Sequence, residues 1–125
     1  MPRAKGLTPL ELEIMNVLWE ASPASVQQVQ ERLAASRALA YTTVQTMLNI
    51  LCRKGKLKRT LVDRAYFYKP AVTRRKAVTD AVRELVQRAF GGSAEELVMN
   101  LVETRQLSPE TLKRLQKMVE EEERG

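Results

Sequence analysis

A chain of 125 residues, 44% hydrophobic and 29% charged, suits one compact domain or two small ones and argues against a fully disordered polymer. No apolar run approaches the roughly 18 residues of a membrane span, and Glu11, Glu13 and Asn16 break up the N-terminal stretch, which argues against a signal peptide and for a cytoplasmic protein. One cysteine excludes an internal disulfide, the absence of histidine removes the commonest general base and zinc ligand, and the net charge of +6 lies entirely in residues 1–72, which hold 11 Lys/Arg against 5 Asp/Glu.

In chain order, the first helix starts at a capping box, with Thr8 as cap, Pro9 at the first helical position and Glu11 three residues after the cap. Leu10, Ile14, Val17 and Leu18 follow at helical period. Ser25 with Gln28 opens a second helix carrying Val26, Val29 and Leu33. Thr42 with Gln45 has the same cap spacing and opens a third, striped by Val44, Met47, Leu48 and Leu51. After Gly55 the pattern changes to two β-rich runs, Leu57–Val62 and Ala65–Tyr68, separated by the turn-prone Asp63-Arg64. Three short helices and then a charged hairpin is the order of a winged helix-turn-helix, placed here at 7–71.

Helical patterning returns over 73–90, 94–105 and 109–123, with Ser93 and Ser108 as caps. The apolar stripes of this part include Val82, Leu85, Leu97, Leu101, Leu112, Leu115 and Val119. About fifty residues in three helices cannot bury such stripes well alone, since domains below about 60 residues are marginal. Residues 73–123 are therefore expected to form a dimerisation domain. Its net neutrality fits, because a self-pairing surface cannot carry a large charge of one sign. The fold class expected is mainly α, with an N-terminal winged helix and a C-terminal three-helix segment.

The third helix carries an uncharged polar face, Thr42, Thr43, Gln45, Thr46 and Asn49, that runs into Arg53. Short amides and hydroxyls suit base edges in the major groove, where Asn or Gln pairs bidentately with adenine and a threonine methyl meets thymine. Arg53, Lys54, Lys56, Lys58 and Arg64 then supply phosphate contacts that position a protein on a duplex. A solvated polar face is the plain alternative, and Thr42 with Gln45 could serve only as a cap. The concentration of charge favours DNA, because residues 53–69 hold 7 basic groups against Asp63 alone. Tyr66 and Tyr68 read as packing residues, and Cys52 as half-buried packing.

Catalysis finds no support. No phosphate-cradling glycine motif occurs, Gly91-Gly92 reads as a helix break, and Glu95 and Glu96 complement a helix N-terminus. No enzyme activity, cofactor or metal is expected. Two other readings of the winged helix stay open: a protein-binding module, and a non-specific architectural DNA binder.

The segments "LTPLELEIMNVLWE", "AYTTVQTMLNILCRKGKL", "DRAYFYKP" and "LVMNLVETRQLSPETLKRLQKMV" resemble the penicillinase repressor family (BlaI/MecI), which includes copper-responsive CopY-type members. The resemblance implies a homodimeric winged-helix repressor on a dyad DNA operator. It also implies release by cleavage after an asparagine, triggered by a membrane-bound sensor protease, and that bond corresponds to Asn100-Leu101. Cleaved members carry an aromatic residue where this chain has Leu101, and the cysteine cluster of the CopY branch has no counterpart in "EEEERG". Family members often carry Lys or Arg where Thr42 and Gln45 stand, which implies a different operator.

Overall fold

The computed structural model describes residues 6–125. Six helices and one hairpin follow in order: α1 (Pro9–Glu20), α2 (Val26–Leu33), α3 (Tyr41–Arg53), β1 (Leu57–Val62), β2 (Ala65–Pro70), α4 (Arg74–Phe90), α5 (Ala94–Glu103) and α6 (Pro109–Arg124). The class is mainly α, with a winged helix-turn-helix at the N-terminal end. Compactness divides the chain inside α4, into a unit that extends to Val82 and a second unit, Arg83–Gly125. The boundary read from the sequence, between 71 and 73, marks instead the end of the hairpin. There the Trp19 indole N–H donates to the Val72 carbonyl at 3.0 Å and ties the outgoing chain to α1.

Local chemistry sets most helix starts. At α1, Thr8 Oγ1 accepts from the Glu11 amide and the Glu11 carboxylate accepts from the Thr8 amide, a complete capping box. Ser25 and Gln28 repeat the arrangement at α2. Helix α3 departs from it: it begins at Tyr41 with Ala40 as cap and no side-chain cap bond. Thr42 and Gln45 thus lie inside the helix with exposed side chains.

The core of the first unit is one cluster: Ile14, Met15 and Leu18 from α1, Val26, Val29 and Leu33 from α2, Val44, Leu48 and Leu51 from α3, and Leu57 and Tyr68 from the hairpin. Burial of each large apolar side chain contributes about 1.5–3 kcal/mol. The hairpin is joined to the helices by backbone as well, since Ala24 and Tyr68 exchange N–H···O bonds of 3.0 and 2.8 Å.

Helix α3 ends in a Schellman motif. Gly55, at φ +78°, lets the Gly55 and Lys56 amides return to the Cys52 and Leu51 carbonyls, at 3.0 and 2.9 Å. This turn sends the chain directly from α3 into β1. At the hairpin tip, Asp63 and Arg64 both have positive φ, 50° and 71°, the conformation of a two-residue type I′ turn. The turn fixes the register Leu57↔Pro70, Arg59↔Tyr68 and Leu61↔Tyr66. It also keeps an arginine in the left-handed region, at a cost of about 1 kcal/mol or more.

The second unit is built differently. Helices α5 and α6 contain no buried residue. Leu85, Val98, Met99, Val102, Leu112, Leu115, Met118 and Val119 are all exposed. No helix of the described residues is long and apolar enough to cross a membrane.

Candidate nucleic-acid interface

Helix α3 sorts its residues by face. Val44, Leu48 and Leu51 are buried, while Thr42, Thr43, Gln45, Thr46 and Arg53 are exposed and Asn49 is half-buried. The spacing of three and four residues that brings Thr42, Gln45, Thr46, Asn49 and Arg53 together is the geometry of one helical face. Apart from the terminal Arg53 these groups are uncharged and can both donate and accept, and each threonine adds a methyl.

The cations divide into distinct environments. Lys54 is not a free surface charge: its ammonium donates to both Glu11 carboxylate oxygens, at 2.8 and 3.0 Å, and to the Gly6 carbonyl at 3.1 Å. Glu11 is only 3% exposed, so this pair joins the start of α1 to the end of α3. The assignment of Lys54 to phosphate binding is therefore replaced by a structural role. Its donors are engaged by the Glu11 carboxylate and the Gly6 carbonyl.

Alternation along β1 puts Lys58 on the opposite face of the hairpin from Leu57, Arg59 and Leu61. Lys56 is half-buried between helix and strand, and Arg64 is exposed at the tip. Arg59, on the face turned to α3, donates from Nη1 to Asn49 Oδ1 at 3.0 Å. Its guanidinium also lies over the Tyr66 ring, 4.1 Å from the centroid. The Tyr68 hydroxyl donates to the same Asn49 oxygen at 3.2 Å.

Arg59 is the residue that the sequence-based site omits. The two-residue Asp63-Arg64 turn contains the signal, because it pairs Arg59 with Tyr68 and so puts both on one face. Tyr66 corrects a second expectation. It shares the Tyr68 face but lies beyond the core, 40% exposed, and supports Arg59 instead of packing inside. Burial pushes the Cys52 thiol up, against the opposing pull of Arg59, so it stays neutral beside these cations. Among the described residues no group of three or more His, Cys, Asp or Glu could hold a metal.

The penicillinase repressor family profile matches residues 7–121. The chain belongs to the penicillinase repressor family. It is 37% identical over 105 residues to the transcriptional regulator BlaI of Mycobacterium tuberculosis (strain ATCC 25618 / H37Rv), covering 82% of this chain and 76% of that protein. It is 28% identical over 121 residues to the penicillinase repressor of Bacillus licheniformis, covering 97% of this chain and 94% of that one. Among solved structures, the DNA-binding domain of the repressor BlaI superposes with a TM-score of 0.52 at 30% identity, covering 59% of this chain and 90% of that domain. Across the family profile the match includes both the winged helix and the exposed apolar helices that follow it.

Proposed function

We propose that the protein is a cytoplasmic transcriptional repressor that binds a dyad DNA operator as a homodimer. The observation that carries this reading is the exposed, uncharged polar face of α3 beside the cations of the wing. Thr42, Thr43, Gln45 and Thr46 read base edges, and Arg53, Lys56, Lys58 and Arg64 hold phosphates. Selection of bound fragments from genomic DNA, followed by competition against random duplex, tests it. A preferred dyad sequence is the expected result. Equal binding to random duplex would favour an architectural role, and no duplex binding would favour a protein-binding module.

Gln45→Ala and Thr46→Ala should each weaken binding to the selected sequence while leaving random-duplex binding nearly unchanged. Removing one good base contact costs on the order of 1–3 kcal/mol in discrimination. Equal losses on both duplexes, measured by fluorescence anisotropy, would remove α3 from the reading role.

Membership of the family supports a further step, release by cleavage at Asn100-Leu101, triggered by a membrane-bound sensor protease. The Asn100 carbonyl accepts from the Thr104 amide at 2.9 Å and from its hydroxyl at 2.8 Å, within the last turns of α5. A protease needs extended, accessible backbone, so cleavage requires this end of α5 to open first. In the native host, Asn100→Ile should keep the repressor full-length and its targets silent under an inducer that shortens the wild type. Normal induction with full-length protein throughout would exclude this bond.

A further inference from the structure

We propose that Arg53 and Arg59, with the Asn49 amide between helix and wing, form a seat for one DNA backbone phosphate, in which Asn49 is a positioning residue and not a base reader. The proposal rests on the DNA-binding reading above and assigns a specific contact within it.

The argument begins with the Asn49 oxygen. A carbonyl oxygen has two lone pairs, and Arg59 Nη1 and the Tyr68 hydroxyl occupy both, at 3.0 and 3.2 Å. Bidentate recognition of adenine needs that oxygen to accept from the base while the amide nitrogen donates. Asn49 has no acceptor left for it. Only its two Nδ2 protons remain available.

Arg59 is held from two sides, by the Asn49 hydrogen bond and by the Tyr66 ring beneath its guanidinium. An exposed arginine ordinarily loses side-chain freedom when it binds, and here much of that ordering is already present on folding. One of its five donors is used by Asn49 and another reaches the Tyr68 hydroxyl, which leaves further donors for a ligand.

Asn49, Cys52, Arg53 and Arg59 line an open groove of about 310 Å³. No carboxylate lines it, and among the described residues neither arginine is in an ion pair. Two guanidinium groups and an amide therefore present donors to a single space. Two ligand edges on DNA offer adjacent acceptors, a guanine major-groove edge and a phosphate. Guanine is neutral and phosphate is anionic. Two uncompensated positive charges select the phosphate, and the planar fork of arginine matches its oxygens.

The test uses the full-length protein and two fluorescein-labelled duplexes, one of alternating dA-dT and one of alternating dG-dC. Anisotropy is followed between about 50 and 200 mM salt. Arg59→Leu should flatten the dependence of log affinity on log salt by about 0.9 for each phosphate it no longer neutralises, equally on both duplexes. Arg59→Lys should restore the slope but not the affinity, since it returns the charge without the fork. Asn49→Leu leaves every charge in place, yet it should weaken binding several-fold on both duplexes and add nothing further when combined with Arg59→Leu. An unchanged slope for Arg59→Leu would overturn the seat, as would a loss confined to the dG-dC duplex or full additivity of the two substitutions. Failure of the wild type to bind either duplex would instead overturn the DNA-binding reading on which the seat depends.

Discussion

Val119→Asp is expected to turn a dimer into a monomer at micromolar concentration without unfolding the chain. Val119 is 58% exposed in the single chain, so a carboxylate there replaces little intramolecular packing. With Leu115 and Met118 it lines an apolar groove of about 350 Å³ on α6, edged by Glu122 and Glu123. If a second copy covers this face, the new charge is buried without a partner and loses its hydration. Such burial costs on the order of 3 kcal/mol or more, which corresponds to at least about a hundredfold in dissociation constant. In a two-fold interface every substitution also occurs twice.

Sedimentation equilibrium reads the assembly directly, and far-UV circular dichroism should show unchanged helix content. Operator affinity should fall as well, because two linked half-site contacts become independent. A wild type that sediments as a monomer at these concentrations would remove the dimer from the proposal.

Lys54→Ala should destabilise the first unit by about 3 kcal/mol, a loss of roughly 12–24 °C in melting temperature for a domain of this size. The substitution leaves the Glu11 carboxylate, 3% exposed, with the Thr8 amide as its remaining hydrogen-bond donor among the described residues. The expected loss sits at the low end for a buried pair because the Lys54 side chain retains 19% exposure. The salt dependence of DNA binding should not change beyond what partial unfolding explains. A normal melting temperature with a flattened salt slope would return Lys54 to the phosphate-binding set.

The contrast between Lys54 and Arg59 shows where sequence reading stops. Both belong to one run of cations around Gly55, and composition alone cannot rank them. What separates them is the partner each meets across the fold. Lys54 reaches a carboxylate far back in the chain at Glu11, and Arg59 reaches an amide on α3. Thr42 and Gln45 illustrate a related ambiguity. Their spacing fits a cap as well as a reading face, and the start of α3 at Tyr41 removes the cap. That start depends on the α2–α3 connection, where Gln30 Nε2 donates to the Leu39 carbonyl at 3.0 Å and Leu39 packs on the core.

Local chemistry written in the chain specifies the helices with side-chain caps, the core stripes, the Asp63-Arg64 turn and the concentration of positive charge. Each depends on groups within a few residues: a hydroxyl three positions from an amide, an apolar residue every third or fourth place, two residues able to adopt positive φ. The same patterning gives 73–123 more apolar surface than such short helices can cover, and α5 and α6 bury no residue of their own. Which polar groups remain available is fixed only by packing. Asn49 has its acceptor occupied, Lys54 is withdrawn into an ion pair, and Tyr66 is left outside the core to support Arg59. Availability is set by hydrogen bonds and ion pairs between groups distant in the chain, and it forms only when the helices and the wing pack together.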